Sequence, residues 1–193
     1  MLIAYIVIYD ENKMEINYCL QCGESLSLKS VGDEGLAKYC VKCHKYFFDN
    51  PVSCVLVTIV NEKQQVLLLK QNYITTDKWT LCSGYLKKGD TLEETVAREV
   101  FEETGLTIVD CQYVRSYYYK PKNLIMTGYI ARVNSDTITD VSKEVDDMKW
   151  VELDKAAVML ARENNYSGTH FDLCKKVLQG NNYSIDRINS KLS

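Results

Sequence analysis

Positive charge is in short supply in this chain: 23 Lys and Arg stand against 26 Asp and Glu, giving a net charge of −3 and a pI near 5.5. Such a balance leaves no overall basic field to draw in a nucleic-acid backbone, so a long polynucleotide is not the expected ligand. Long apolar runs are missing too. The N-terminal stretch MLIAYIVIYD is apolar for only nine residues, too few to cross about 30 Å of hydrocarbon. It also lacks the basic leading region and small-residue cleavage site of a secretory signal. With neither membrane span nor signal, the expected compartment is the cytoplasm and the expected state of the thiols is reduced. The stretch reads equally as a short strand or as residues preceding a natural start at Met14, five positions before the first cysteine. No internal repeat or low-complexity tract is found. What remains, 46% hydrophobic and 25% charged, is the makeup of a globular protein with room for one full core and a small accessory module.

Four of the eight cysteines form two tight pairs, Cys19-x2-Cys22 and Cys40-x2-Cys43, with seventeen residues between them. Two such knuckles can bring four thiolates onto one Zn²⁺ in a tetrahedron. A module of about thirty residues has too little apolar surface to fold on burial alone, so a metal holding it together makes physical sense. Four sulfur ligands leave no open position for water, so one structural rather than catalytic zinc per chain is expected. His44 adjoins Cys43 and reads as a bystander. Cys54, Cys82, Cys111 and Cys174 are scattered among apolar or helical positions.

The chain divides accordingly into an N-terminal extension (1–17), a cysteine module (18–49), a main domain (50–180) and a polar tail (181–193). Asn50-Pro51 marks a break, after which Val52–Val60 is a β-branched run suited to a strand buried on both faces. Val66–Lys70 reads as its hairpin partner across the turn at 61–64. Thr91 can cap a helix, Glu94 completes a capping box and Gly105 ends it, so a helix is expected from Thr91 to Thr104. Strands are expected at Cys111–Tyr119, Leu124–Val133 and Met148–Val151, then helices over 154–163 and 168–178.

The most informative run is Gly84–Leu106, GYLKKGDTLEETVAREVFEETGL. At 100° per residue, Glu99, Glu102 and Glu103 fall within an arc of about 100°. Glu103 also shares the azimuth of Leu92, Val96 and Val100, the stripe that should face the core. Anionic oxygens crowded beside an apolar face need a compensating charge, and a hard divalent cation such as Mg²⁺ or Mn²⁺ is the natural one. A solvated acidic face is the other reading of a Glu-rich run taken by itself.

Gly84, Arg98, Glu99, Val100, Glu102, Glu103, Gly105 and Leu106 match the signature of the Nudix hydrolases, a glycine and then an acid followed by Arg-Glu-apolar-x-Glu-Glu-x-Gly-apolar. Asp90 stands where the family usually has glutamate. The cysteine module, Tyr46-Phe47-Phe48-x-x-Pro51 and the following strand further resemble the NADH pyrophosphatase branch. The resemblance implies an α/β fold, a Nudix-type α/β/α sandwich with a mixed sheet, preceded by a small four-cysteine zinc ribbon. It implies that Glu99, Glu102 and Glu103 hold Mg²⁺ or Mn²⁺ and that one of them orients or deprotonates the attacking water. It further implies that Arg98 fixes a carboxylate rotamer, that Ser83 offers a backbone carbonyl to the metal and that Glu144 completes the metal set. The implied reaction is water attack on the diphosphate of NADH or a related dinucleotide. ADP-ribose, a nucleoside triphosphate, or nucleotide sensing without hydrolysis are the alternatives. The branch carries a Ser-Gln-Pro-Trp-Pro-Phe-Pro array where this chain has Ser116 to Lys122, matching only the serine. Tyr117 or Tyr119 could stack on a base, and Lys120 and Lys122 could meet phosphate; equally, alternate tyrosines on a strand are ordinary packing. Dimers are common in the branch, so a homodimer is the oligomer to expect.

Overall fold

The computed structural model describes residues 16–71, 78–138, 142–161 and 166–180. The expectations for 1–15, for the tail after 180 and for the helix end at 162–163 lie outside the described residues. The chain divides into two compact units, Met1–Pro51 with Tyr119–Leu124, and Val52–Tyr118 with Ile125–Ser193.

The first unit is built on a three-stranded antiparallel sheet of β1 (Ser27–Ser30), β2 (Leu36–Cys40) and β3 (Lys45–Phe47), in that order. Its apolar residues do little to hold it. Leu20, Leu28, Leu36 and Val41 are all exposed, and among the described residues the buried apolar set of this unit amounts to Cys19, Tyr39, Cys40 and Leu124. A sheet with so small a core needs another source of stability.

The second unit is a mixed sheet with helices on both faces. Its strands are β4 (Val52–Val60), β5 (Gln65–Lys70), β6 (Trp79–Thr80), β7 (Cys82–Tyr85), β8 (Ile108–Tyr119), β9 (Leu124–Val133) and β10 (Asp147–Glu152), and its helices α1 (Leu92–Thr104), α2 (Leu153–Ala161) and α3 (Tyr166–Leu178). The main strand order is β10-β5-β4-β9-β8, with β6 against β5 and β7 against β4. Strand alternation sorts the core into two layers. Val55, Val57, Ile59, Leu67, Leu69, Tyr129, Ala131 and Val133 pack with Val96 and Val100 of α1. Leu56, Val60, Val66, Leu68 and Ile130 point the other way, onto Ala156 and Leu160 of α2 and Phe171 and Cys174 of α3. Covering on both faces is why β4 is apolar at nearly every position rather than at every second one.

The expected β4–β5 hairpin is much reduced. Its register is a single pair, Val60 with Val66. Beyond it β4 turns to β7, Cys54–Val57 against Cys82–Tyr85, and β5 turns to β6, Leu69 and Lys70 against Thr80 and Trp79. This split brings β7, with Ser83 and Gly84, into the middle of the sheet.

Candidate functional site

Helix α1 carries the carboxylates, and both its ends are fixed by local chemistry. Thr91 Oγ1 accepts from the Glu94 backbone N–H while the Glu94 carboxylate accepts from the Thr91 N–H, and Gly105 closes the helix at φ 70°. The core stripe of Val96 and Val100 then sets the rotation, which turns Glu103 inward to 3% exposure.

Arg98 gathers the acidic groups around it. Its Nε donates to Asp90 Oδ2 at 3.1 Å, Nη1 to Glu99 Oε1 at 2.5 Å and to Glu102 Oε2 at 3.1 Å, and Nη2 to the Tyr85 carbonyl at 3.0 Å. The shorter acid at 90 therefore still reaches the arginine. Lys87 Nζ lies 3.3 Å from Glu102 Oε1. Gly84 has a steric reason: a Cβ there would lie 1.9 Å from Glu99 Cδ, so only glycine lets the carboxylate lie against the β7 backbone. Burial raises the pKa of Glu99 above the ordinary carboxylate value, against the opposing pull of Arg98.

Glu103 stands apart from that network. Gln71 Nε2 donates to its Oε1 at 2.7 Å. Its Oε2 is buried and has no hydrogen-bond partner among the described residues, and neither does Oε1 of Gln71. Burial pushes the Glu103 carboxyl up to about 7; the Cys82 thiol and the Gln71 amide pull it down, and the charges of Glu99 and Glu144 add to the rise. Glu144 itself is exposed, on the turn before β10, where the Asp146 N–H donates to the Lys70 carbonyl at 2.8 Å. An anionic set with a buried, unpartnered oxygen fits a hard divalent cation. The carboxylate oxygens are not drawn together as tightly as the thiols: among the described residues only the four cysteines bring three or more Cys, His, Asp or Glu ligand atoms within 4.8 Å of one another.

Those four, Cys19, Cys22, Cys40 and Cys43, place Sγ atoms 3.9 Å apart in the Cys19–Cys43 pair and 3.6 Å apart in the Cys22–Cys40 pair. A tetrahedron with Zn–S bonds of about 2.3 Å has sulfur–sulfur edges of about 3.8 Å. The thiols thus already occupy the vertices a zinc would need. His44 is outside the cluster, with its Nδ1 3.2 Å from the Tyr39 hydroxyl.

The expected substrate residues are distributed over both units. Tyr119, Lys120 and Lys122 fall in the first, at the turn between β8 and β9, where Lys120–Lys122 form a 3-10 turn. Tyr117 belongs to the second, its hydroxyl 3.3 Å from His170 Nδ1 and its ring edge-on to Tyr166 and His170. These contacts are ordinary aromatic packing. Sequence reasoning passed over Gln71, which meets Glu103 from 32 positions away and has no periodic signal to betray it, and Lys87, whose charge offered no partner until the loop was folded.

A family profile described as the NUDIX domain matches residues 50–172. The chain is 27% identical over 150 residues to a NAD-capped RNA hydrolase NudC of Vibrio parahaemolyticus, covering 78% of this chain and 56% of that protein. It thus spans about half the length of the curated relatives it matches. Among solved structures, a NUDIX hydrolase from Nitrosomonas europaea superposes with a TM-score of 0.56 at 24% identity, covering 72% of this chain and 80% of that one. The NUDIX domain of Shewanella oneidensis NrtR, in complex with ADP ribose, does so with a TM-score of 0.56 at 18% identity, covering 73% and 92%. At these identities the two structures speak for the fold.

Proposed function

The chain belongs to the NUDIX domain family, and from that premise we propose that it hydrolyses the diphosphate bond of NADH or a related dinucleotide, releasing two mononucleotides. The observation that carries the reading is Glu103, a carboxylate buried with one oxygen unpartnered among the described residues, on the same helix as Glu99 and Glu102. Glu99, Glu102, Glu103 and Glu144, with the backbone carbonyl of Ser83, would hold Mg²⁺ or Mn²⁺. Such a cation neutralises diphosphate charge and lowers the pKa of a bound water. One glutamate of the set takes the proton as water attacks phosphorus and the P–O bond of the anhydride breaks, the leaving phosphate carrying away the electron pair. Arg98 holds Glu99 and Glu102 in place between reactions, which spares reorganisation when the substrate arrives.

In the same reading, residues 18–49 are a zinc ribbon, 50–180 the hydrolase domain, and Cys19, Cys22, Cys40 and Cys43 hold a structural zinc. Lys120 and Lys122 meet substrate phosphate, and Tyr119 offers a stacking face. Tyr117 keeps its place against His170. A homodimer is the proposed assembly.

A second substrate is favoured by the relatives, whose name specifies NAD-capped RNA. The bond cleaved would be the same diphosphate, at the 5′ end of an RNA. The distinguishing experiment is a hydrolysis screen with Mg²⁺ or Mn²⁺ over NADH, NAD⁺, ADP-ribose, nucleoside triphosphates and a NAD-capped oligoribonucleotide. Cleavage of NADH ahead of the capped RNA supports the small-molecule reading; the reverse order moves the substrate to RNA, and no cleavage of any diphosphate defeats the enzyme reading.

A further inference from the structure

Two buried oxygens in the second unit lack partners side by side in one hydrogen-bonded pair. Gln71 and Glu103 are both almost wholly inaccessible, at 0% and 3% exposure. They share the 2.7 Å bond from Gln71 Nε2 to Glu103 Oε1, yet among the described residues Gln71 Oε1 and Glu103 Oε2 accept nothing. Each buried acceptor without a partner is destabilising, and a leucine at position 71 would fill similar space without that cost. A polar pair that satisfies one of its contacts and leaves two acceptors open is what a cation-binding pocket looks like before the cation is counted.

We propose that Gln71 is a ligand-positioning residue of the divalent-cation site and offers its side-chain carbonyl to the same ion as Glu103. The inference rests on the reading of Glu103 as a cation ligand. Its amide N–H holds Glu103 Oε1 and so fixes the carboxylate rotamer, presenting Oε2 to the ion. Its own Oε1 adds a neutral hard oxygen of the kind Mg²⁺ and Mn²⁺ accept. The backbone supports this placement: the carbonyl of the preceding Lys70 accepts from the Asp146 N–H at 2.8 Å, which ties the end of β5 to the turn bearing Glu144. Gln71 thereby links the helix carboxylate with the acid on that turn. An outer partner that orients a ligating carboxylate typically contributes 10- to 100-fold in metal affinity.

The test uses the full chain with Mn²⁺ alone and no nucleotide, free Mn²⁺ being counted by electron paramagnetic resonance and stability followed by thermal melting. Gln71→Leu should weaken Mn²⁺ binding by about tenfold or more. Gln71→Glu, which keeps the shape but sets two carboxylates together, should melt lower without metal and gain a larger Mn²⁺-induced rise in Tm than the unaltered protein. Glu103→Gln serves as the control and should itself lose Mn²⁺ affinity. Unchanged Mn²⁺ binding in folded Gln71→Leu, or a Gln71→Glu protein that Mn²⁺ rescues no more than the original, overturns the inference while leaving Glu103 in place. Unchanged binding in Glu103→Gln overturns the site reading and this inference with it.

Discussion

Gly84 and Glu99 lie against one another in the fold although fifteen positions separate them. A methyl group at 84 would meet the Glu99 carboxylate, the far end of a flexible side chain, so the backbone need not move but the carboxylate must. Gly84→Ala is therefore expected to retain its melting temperature to within a few degrees while the proposed diphosphatase turnover falls by about 10- to 100-fold; steady-state kinetics beside a melting curve separates the two. Arg98→Lys tests the neighbouring network. A guanidinium that serves Asp90, Glu99, Glu102 and the Tyr85 carbonyl cannot be replaced by an ammonium of different shape, and a loss of about 1–3 kcal/mol is expected in a denaturant titration. At this scale much was legible in the sequence. The inward turn of Glu103 followed from its azimuth beside Val96 and Val100, and the fold buries that carboxylate. Gln71 was not legible, because a single glutamine after a strand acquires meaning only through a contact made across the fold.

Among the elements, α1 was readable to both ends because its stop and start signals are local: a capping box at Thr91 and Glu94, and a left-handed Gly105. Thr91→Ala should lower stability by about 1 kcal/mol through loss of that cap, measurable in the same denaturant titration. Strands β6 and β7 escaped notice for the opposite reason. At two and four residues they are too short to show alternation, and what makes them strands is the partners β5 and β4 offer them. The three short strands of the first unit are a similar case, since their organising contacts are the four thiols rather than a core. Metal analysis of purified protein should return about one zinc per chain, and removal by a strong chelator should abolish the circular-dichroism signal of a folded ribbon while the second unit keeps its own melting transition. Retention of the ribbon without zinc would show that burial suffices after all.

For the whole molecule, the burial of His170 on α3 has a consequence in pH. The ring lies fully inside, against the Tyr129 carbonyl, the Tyr117 hydroxyl and Cys174, and burial lowers its pKa to about 4. An unfolded chain takes up that proton near pH 6.5. Between these values the unfolded state binds more protons, so this contribution is fully present above about pH 6.5 and is lost as the pH falls toward 4. Relative to His170→Gln, the unaltered protein should lose on the order of 3 kcal/mol over that window, read from paired melts at several pH values. A constant difference between the two proteins would place the ring's titration elsewhere. The two-layer core, with α1 on one face of the sheet and α2 and α3 on the other, was foreseeable from the β-branched, mostly apolar run of β4, whereas the division of the expected substrate segment between Tyr117 in one unit and residues 119–124 in the other was not. Metal-assisted diphosphate cleavage on this sandwich is tested most sharply by product analysis of NADH incubated with the protein and Mg²⁺ or Mn²⁺ in ¹⁸O-labelled water, with Glu103→Gln alongside. Two mononucleotides are expected, one bearing a single ¹⁸O on its phosphate, formed only with the metal and slowed by orders of magnitude in the variant; cleavage that persists in chelator, or that Glu103→Gln leaves at its normal rate, would contradict that chemistry.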